Sequence, residues 1–377
     1  MNTERSVIFT DSSRLITDAL AAAGADVFIG YPITPANLIY SYASRRFPVF
    51  MAAPDEISTM QWMSGFAVAG RIPVTATSFP GYALMLESIN MAYMMELPMV
   101  IILVQRLGPA TGSATRGSQG DIALLQGTIS GGLAIPAFSI SNTTDCWNLS
   151  AKAVEVAVKY RTPVVIFTSK EEVMTMHSVD RNELLPVKPV SRKEYEGEET
   201  FVPYLPGDNL VPEFLPVSSR KHQVRFTAST HDRRGIIANA TPEALSNSTR
   251  LHYKITQNLD DFTYYELDEQ EGSDTLVMSF GITSQAAREA VQEMRAADQR
   301  ISLLIVQTLL PVPKVYYEIC KKYKHILIAE ENLSGQYRQL LFGSLPPDHI
   351  RGVNAFGRMI SPSMIKKSVA DYEQSLS

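Results

Sequence analysis

The run Val100-Ile101-Ile102-Leu103-Val104 constrains the fold of this chain more than any other stretch. An unbroken aliphatic segment leaves no face for water, so it reads as a strand covered on both sides, the habit of parallel sheets layered with helices. Its surroundings repeat that theme. Strands are expected at 27–31, 49–53, 74–78, 99–105 and 163–169, separated by helical apolar periodicity at 35–46, 55–70, 81–96 and 147–160. Strand and helix in alternation predict an α/β architecture, a doubly wound and mostly parallel sheet.

Past Asp180 the texture changes, with prolines, clustered charges such as Arg192-Lys193-Glu194 and little sustained periodicity. That stretch is expected to be an irregular connecting segment crossing a surface. Alternation resumes with strands at 275–280, 303–307 and 326–329, and with helices at 284–297, from Pro311 and at 335–342. Three parts follow: a first α/β domain over 1–180, the connecting segment over 181–270, and a second, smaller α/β domain over 271–377.

Composition removes several function classes. A formal net charge of -5 with no basic run argues against a nucleic-acid surface. The two cysteines, Cys146 and Cys320, are far apart and build neither a disulfide framework nor an iron–sulfur or zinc site. Both read as buried small hydrophobes in a reducing compartment. The amino terminus lacks an apolar signal segment, and the apolar region 89–104 is interrupted by Glu96 and Pro98, so no membrane span is expected and a cytoplasmic location is. There is no GxxxxGK[ST], GxGxxG, HExxH or GxSxG, and no metal site is expected on this chain.

What remains is a set of loops at the expected carboxyl ends of strands, where open α/β sheets place ligands. The first is Gly30-Tyr31-Pro32-Ile33-Thr34-Pro35, in which Thr34 offers a hydroxyl to a ligand or caps the next helix. The second is Asp55-Glu56, which puts Glu56 in a first helical turn ahead of Ile57, Met60, Met63 and Ala67; a carboxylate there either does chemistry or complements the helix dipole. The third is Thr77-Ser78-Phe79-Pro80-Gly81. The fourth runs from Gln105-Arg106 through Thr115-Arg116 to Gly120-Asp121, a Gly/Ser/Thr-rich loop whose arginines make a carboxylate clamp or pair with surface acids.

Together these residues closely resemble the α subunit of 2-oxoacid:ferredoxin oxidoreductases. The likeness covers nearly the whole chain, through Thr230-His231-Asp232-Arg233-Arg234-Gly235, Ser279-Phe280-Gly281, Thr308-Leu309-Leu310-Pro311 and Glu330-Glu331-Asn332. The resemblance implies a thiamine-diphosphate pyrimidine-binding domain joined to a transketolase-C-like domain. It implies CoA-dependent oxidative decarboxylation of a 2-oxoacid, 2-oxoglutarate favoured, with ferredoxin reduced. It further implies a β subunit carrying the diphosphate-binding domain with Mg2+, [4Fe-4S] clusters on partner chains, and γ and δ subunits in some assemblies. By the same resemblance Glu56 is the activating glutamate: a carboxyl bonded to the aminopyrimidine ring nitrogen shifts its tautomer so that the amino nitrogen can take a proton from the thiazolium. Tyr31, Pro32, Thr77 and Ser78 would bind the cofactor. Thr34, Arg106, Thr115 and Arg116 would hold the substrate or coenzyme A.

Three departures stand out. Phe79 occupies the place of a family glycine, Pro54 precedes Asp55 where Glu is common, and Arg233-Arg234 replaces a more acidic pairing after His231-Asp232. A subunit of an aryl- or branched-chain ketoacid oxidoreductase, and a non-catalytic assembly subunit of the same fold, are the alternatives. Glu56 speaks against the last of these.

Overall fold

The structure, a computed structural model, describes residues 6–374. A seven-stranded sheet forms the first layer system, in the order Thr308–Leu310, Ala137–Ser139, Pro163–Ser169, Met99–Gln105, Pro73–Thr77, Val27–Gly30 and Val49–Ala52. All neighbours in it are parallel except Thr308–Leu310, which runs antiparallel to Ala137–Ser139. Met99–Gln105 is buried along its whole length, as its continuous apolar run requires.

The second sheet has five strands, in the order Ile350–Asn354, His325–Glu330, Thr275–Phe280, Ile301–Val306 and Tyr265–Asp268, of which only the last pairs antiparallel. Helices cover both faces of each sheet, and one apolar cluster continues from the first into the second, joining Leu103 and Phe167 to Phe280, Leu304 and Ile328. The fold is thus two doubly wound, mostly parallel sheets packed as one body. A two-stranded antiparallel ribbon, Val7–Asp11 with Met176–Asp180, lies outside both.

Three features depart from the sequence reading, the first being that Tyr265–Asp268, inside the expected connecting segment, already belongs to the second sheet. The strand Thr308–Leu310 leaves the second domain and completes the first sheet's far edge, so residues past 271 belong partly to the first core. The segment 181–270, expected to be irregular, contains the helix Pro242–Thr256, whose buried positions include Asn247, Arg250 and Lys254 beside Ala244, Leu251 and Ile255. Polar side chains on the inward face erase the apolar periodicity that reveals a helix in sequence. What holds them is a buried charge network. Glu96 receives hydrogen bonds from Arg250 and, at 2.7 Å, from Lys254. Arg161 donates to the carbonyls of Glu213 (2.7 Å) and Pro212 (3.2 Å), pinning the irregular backbone to the first domain.

His231 belongs to this support as well. It is fully buried, its ring centroid 4.0 Å from that of Tyr204, with Nδ1 2.7 Å from the Ser229 carbonyl and Nε2 3.0 Å from Asn247 Nδ2. Arg233, one of the departures, pairs with Glu243 in the first turn of the same helix (2.9 Å). No helix among the described residues is long and apolar enough to cross a membrane.

Candidate active site

Parallel strands send every following loop to one edge, so the ends of Val27–Gly30, Val49–Ala52, Pro73–Thr77 and Met99–Gln105 gather there. At Asp55 the chain is extended (φ -162, ψ 174) and its carboxylate accepts the Ser58 N–H at 2.6 Å, which caps the helix Glu56–Val68 and lowers the Asp55 pKa. Glu56 is therefore the first residue of a capped helix. Its side chain turns inward to 7 % exposure and has no hydrogen-bond or ion-pair partner among the described residues. A surface glutamate that only complements a dipole stays in water. Burial of a carboxyl without a partner costs free energy unless a ligand supplies one.

Thr77 and Gly81 form the wall beside it. A Cβ built on Gly81 would meet Thr77 Oγ1 at 2.2 Å and Glu56 Cγ and Oε1 at 2.7 Å, so glycine is what lets the helix Phe79–Met94 start against the carboxylate. Gly81→Ala is expected to displace Glu56 and lower turnover of the assembled enzyme by about 100-fold, and to lower the unfolding temperature because the added Cβ overpacks a buried wall, both measurable on one preparation. Ser78 is fully buried and its hydroxyl has no partner. Phe79 begins the helix and is not among the residues with positive φ, so its backbone does not demand the family's glycine. Met60 and Met63, both fully buried, keep water from the far side, while Ile57 points out at 45 % exposure.

Arg106 sits one loop along and is buried. Its Nη1 donates to the Thr34 carbonyl at 2.7 Å, which ties the 30–35 turn to the end of the central strand, and its Nε has no partner. Burial lowers the arginine's pKa, and the Asp121 charge opposes that. Thr34 does not cap the next helix, which begins at Asn37 after Ala36 with no side-chain cap; its hydroxyl remains available at the edge.

Tyr31 and Pro32 are exposed on the same turn. Thr115 and Arg116 are also exposed, on a loop tied together by its backbone: Leu107 N–H to the Arg116 carbonyl (2.8 Å) and Ser113 N–H to the Leu107 carbonyl (2.9 Å). The structure thus brings Glu56, Thr77 and Gly81 into one contact set and Thr34 and Arg106 into another. Thr115 and Arg116 are exposed, and among the described residues no hydrogen bond or ion pair joins their side chains to either set.

The sequence reading left one residue unassigned that the geometry makes central. Gln119 donates from Nε2 to the Phe280 carbonyl (2.7 Å) and accepts, on Oε1, from Thr283 (2.8 Å) and the Glu331 N–H (2.8 Å). It is the peg by which the second domain holds the long loop. Around it lie carboxyls that burial raises, Glu331 to about 7 and Glu172 to about 8.

Two doubly wound sheets, with a buried and unpaired carboxylate at the carboxyl edge of the first, place the chain in the class of two-domain α/β enzymes. It belongs to the family described as pyruvate flavodoxin/ferredoxin oxidoreductase, thiamine diphosphate-binding, whose model matches residues 18–250. It is 29% identical over 341 residues to the 2-oxoglutarate synthase subunit KorA of Methanocaldococcus jannaschii, covering 89% of this chain and 91% of that one. It is 30% identical to the same subunit of Methanothermobacter marburgensis, over 85% of this chain and 86% of the relative. A solved 2-oxoglutarate:ferredoxin oxidoreductase from Magnetococcus marinus, with 2-oxoglutarate, coenzyme A and succinyl-CoA bound, shares the fold at TM-score 0.90 and 24% identity, over 98% of this chain and 65% of that one.

Proposed function

We propose that this chain is the α subunit of a multi-chain 2-oxoacid:ferredoxin oxidoreductase that converts 2-oxoglutarate and coenzyme A to succinyl-CoA and CO2, passing electrons to ferredoxin. The observation that carries the reading is the convergence of Glu56, Thr77 and Gly81 at the sheet edge. The choice of 2-oxoglutarate rests on the names of the relatives at 29% and 30% identity.

The donor set fits the pyrimidine end of thiamine diphosphate. Glu56 is a buried carboxyl lacking a partner, Ser78 a buried hydroxyl lacking one, and Gly81 leaves open the space a Cβ would fill. When bound, that cofactor supplies the carbon that adds to the substrate's keto group and the sink for the electron pair left by CO2. This chain's part is to place a proton. With the cofactor bound, Glu56 would share one with the ring nitrogen of the aminopyrimidine, and the buried Met60 and Met63 would deny water a competing hydrogen bond. Arg106 offers its Nε to the carboxylate of the 2-oxoacid, held in aim by the bond from Nη1 to Thr34. Thr34 lends its hydroxyl beside it. Thr115 and Arg116, at the exposed rim, meet coenzyme A or the distal carboxylate as they enter.

The remainder of the site comes from another chain. Val49–Ala52 is an edge strand, and Tyr31 (40 %), on the turn after Val27–Gly30, Ile57 (45 %) and Trp62 (37 %), on the helix that Glu56 begins, and Leu84 (53 %), on the helix Phe79–Met94, expose apolar surface. Exposed large apolar side chains on the helices and turn next to an unpaired strand are suited to docking a partner subunit. A cavity of about 650 Å3, lined by Tyr204, Leu210, Asn247, Arg250 and Tyr253, lies beside the charge network. Both cysteines are buried and separate, so cluster ligands, like the Mg2+-diphosphate site, are assigned to the partner.

The isolated chain is expected to bind thiamine diphosphate weakly or not at all by calorimetry, and the assembled complex to bind it tightly. Tight binding by the chain alone would overturn the shared site. Assays of the complex with a panel of 2-oxoacids and a redox dye test the substrate. Faster turnover of a branched-chain or aryl 2-oxoacid than of 2-oxoglutarate would replace the substrate and leave the family.

A further inference from the structure

Arg106 and Asp121 are a buried cation and a buried anion on one loop, each with an atom left over. Arg106 Nε and Asp121 Oδ2 are both buried without a hydrogen-bond partner. No approach within 4.0 Å joins the two as an ion pair, although each acts on the other electrostatically. Asp121 precedes the short helix Ile122–Gln126 but does not cap it with its side chain, so a capping role does not explain its burial.

The backbone on both sides of Asp121 is fixed from the second domain. Ser118 Oγ donates to the Glu331 carbonyl (3.1 Å), Asn332 Nδ2 to the Gln119 carbonyl (3.1 Å) and Gln336 Nε2 to the Gly120 carbonyl (2.8 Å). Beyond it, the Ala123 N–H donates to Gln336 Oε1 (3.0 Å). The backbone around Asp121, whose charge acts on Arg106, is therefore held by a different domain from the one that carries the clamp.

We propose that Asp121 is a positioning residue for Arg106: its carboxylate is the counter-charge of the guanidinium in the free site, and it takes up a proton from solvent when a 2-oxoacid carboxylate replaces it there. The inference rests on the reading of Arg106 as the carboxylate clamp. Its physical basis is that two anions cannot share one buried cation at low cost, and protonating the fixed one removes the repulsion.

The charged surroundings of Asp121 leave this role to Arg106. Glu331 receives the Ile360 N–H (3.0 Å) and Glu171 the Gly117 N–H (3.0 Å), while the Arg338 charge acts on Glu330. The neighbouring helix presents Gln336, which is neutral. Burial raises Asp121 to about 7 against the pull of Arg106, so the free enzyme changes state within the working pH range. The sign follows. Substrate binds the protonated form better, so its KM rises as pH rises through about 7.

The test is steady-state kinetics of the assembled complex with 2-oxoglutarate and a redox dye, KM and kcat taken separately between about pH 6 and pH 8. The KM of the wild type is expected to rise about tenfold over that range. Asp121→Asn is expected to hold KM low and nearly flat, with the pH dependence of kcat keeping its wild-type shape. A flat KM in the wild type, or a wild-type rise in Asp121→Asn, overturns the proposal. Should the variant fail to assemble, calorimetry of the wild type in buffers of different ionisation enthalpy decides: proton uptake on substrate binding at about pH 7.5 supports the proposal, and none overturns it. Arg106→Gln separates the two readings. If it leaves KM unchanged, the clamp itself is wrong; if it raises KM while Asp121→Asn keeps the wild-type rise, only the role of Asp121 falls.

Discussion

Glu56→Gln, co-expressed with the partner chains, is expected to assemble normally and to lose oxidative decarboxylation by about 100- to 10,000-fold, the range general acid–base groups contribute. Assembly should survive because the amide matches the carboxyl in shape and Glu56 holds no other side chain in place; among the described residues it has no hydrogen-bond partner to lose. The loss should be large because glutamine cannot take and return a proton at the aminopyrimidine nitrogen. Cofactor binding, followed by calorimetry, is expected to weaken far less than turnover, since on the proposed reading Thr77, Ser78 and the partner chain would still hold it. Wild-type turnover in this variant would remove Glu56 from the chemistry. Equal loss of cofactor binding and turnover would make it a binding group only.

The legible part of this protein was the part in which chemistry and local pattern coincide. The strand Met99–Gln105 announces itself by aliphatic residues alone, and its neighbours by apolar runs bounded by Gly, Pro and Asp. Glu56 could be placed because a strand, a capping Asp55 and a helical apolar face follow one another within a few residues. The residues that close the site against the second domain could not. Gln119 bonds to Phe280 across 161 residues and to Glu331 across 212, and nothing local to Gln119 encodes those partners. Thr308–Leu310 is only three residues long, too short for a period, and its place beside Ala137–Ser139 is a tertiary decision. At Thr115 and Arg116 the resemblance implies contacts with substrate or coenzyme A, and in the structure both side chains are exposed on a loop tied together by its own backbone.

The connecting segment also supplies the second large effect, because among the described residues Glu96 is the only anion bonded to Arg250 and Lys254. Glu96 is fully buried. Desolvation pushes its pKa up, but Lys254 and Arg250, aided by Arg161, pull harder and hold it down at about 2. Lys254, also buried, is lowered to about 8 by the same desolvation despite Glu96. Glu96→Gln leaves those cations without their counter-charge and is expected to destabilise the chain by about 3–5 kcal/mol, the cost of breaking a buried pair from one side. The exposed pair Lys152–Glu155 is the control, and its loss should change stability by less than about 1 kcal/mol. Because Arg161 and Arg250 also bond the carbonyls of Pro212, Glu213 and Leu210, limited proteolysis of Glu96→Gln should cut first within 195–225 while the strands of the first sheet stay protected. With a native pKa below the unfolded value, Glu96 contributes its stability at neutral pH and loses it as pH falls from about 4.5 toward 2, so the variant should show a shallower acid limb in its unfolding curve than the wild type. Cleavage at the same sites and rates in both proteins would show that hydrophobic packing of Leu251 and Ile255, and not the buried charges, fastens this segment to the first domain.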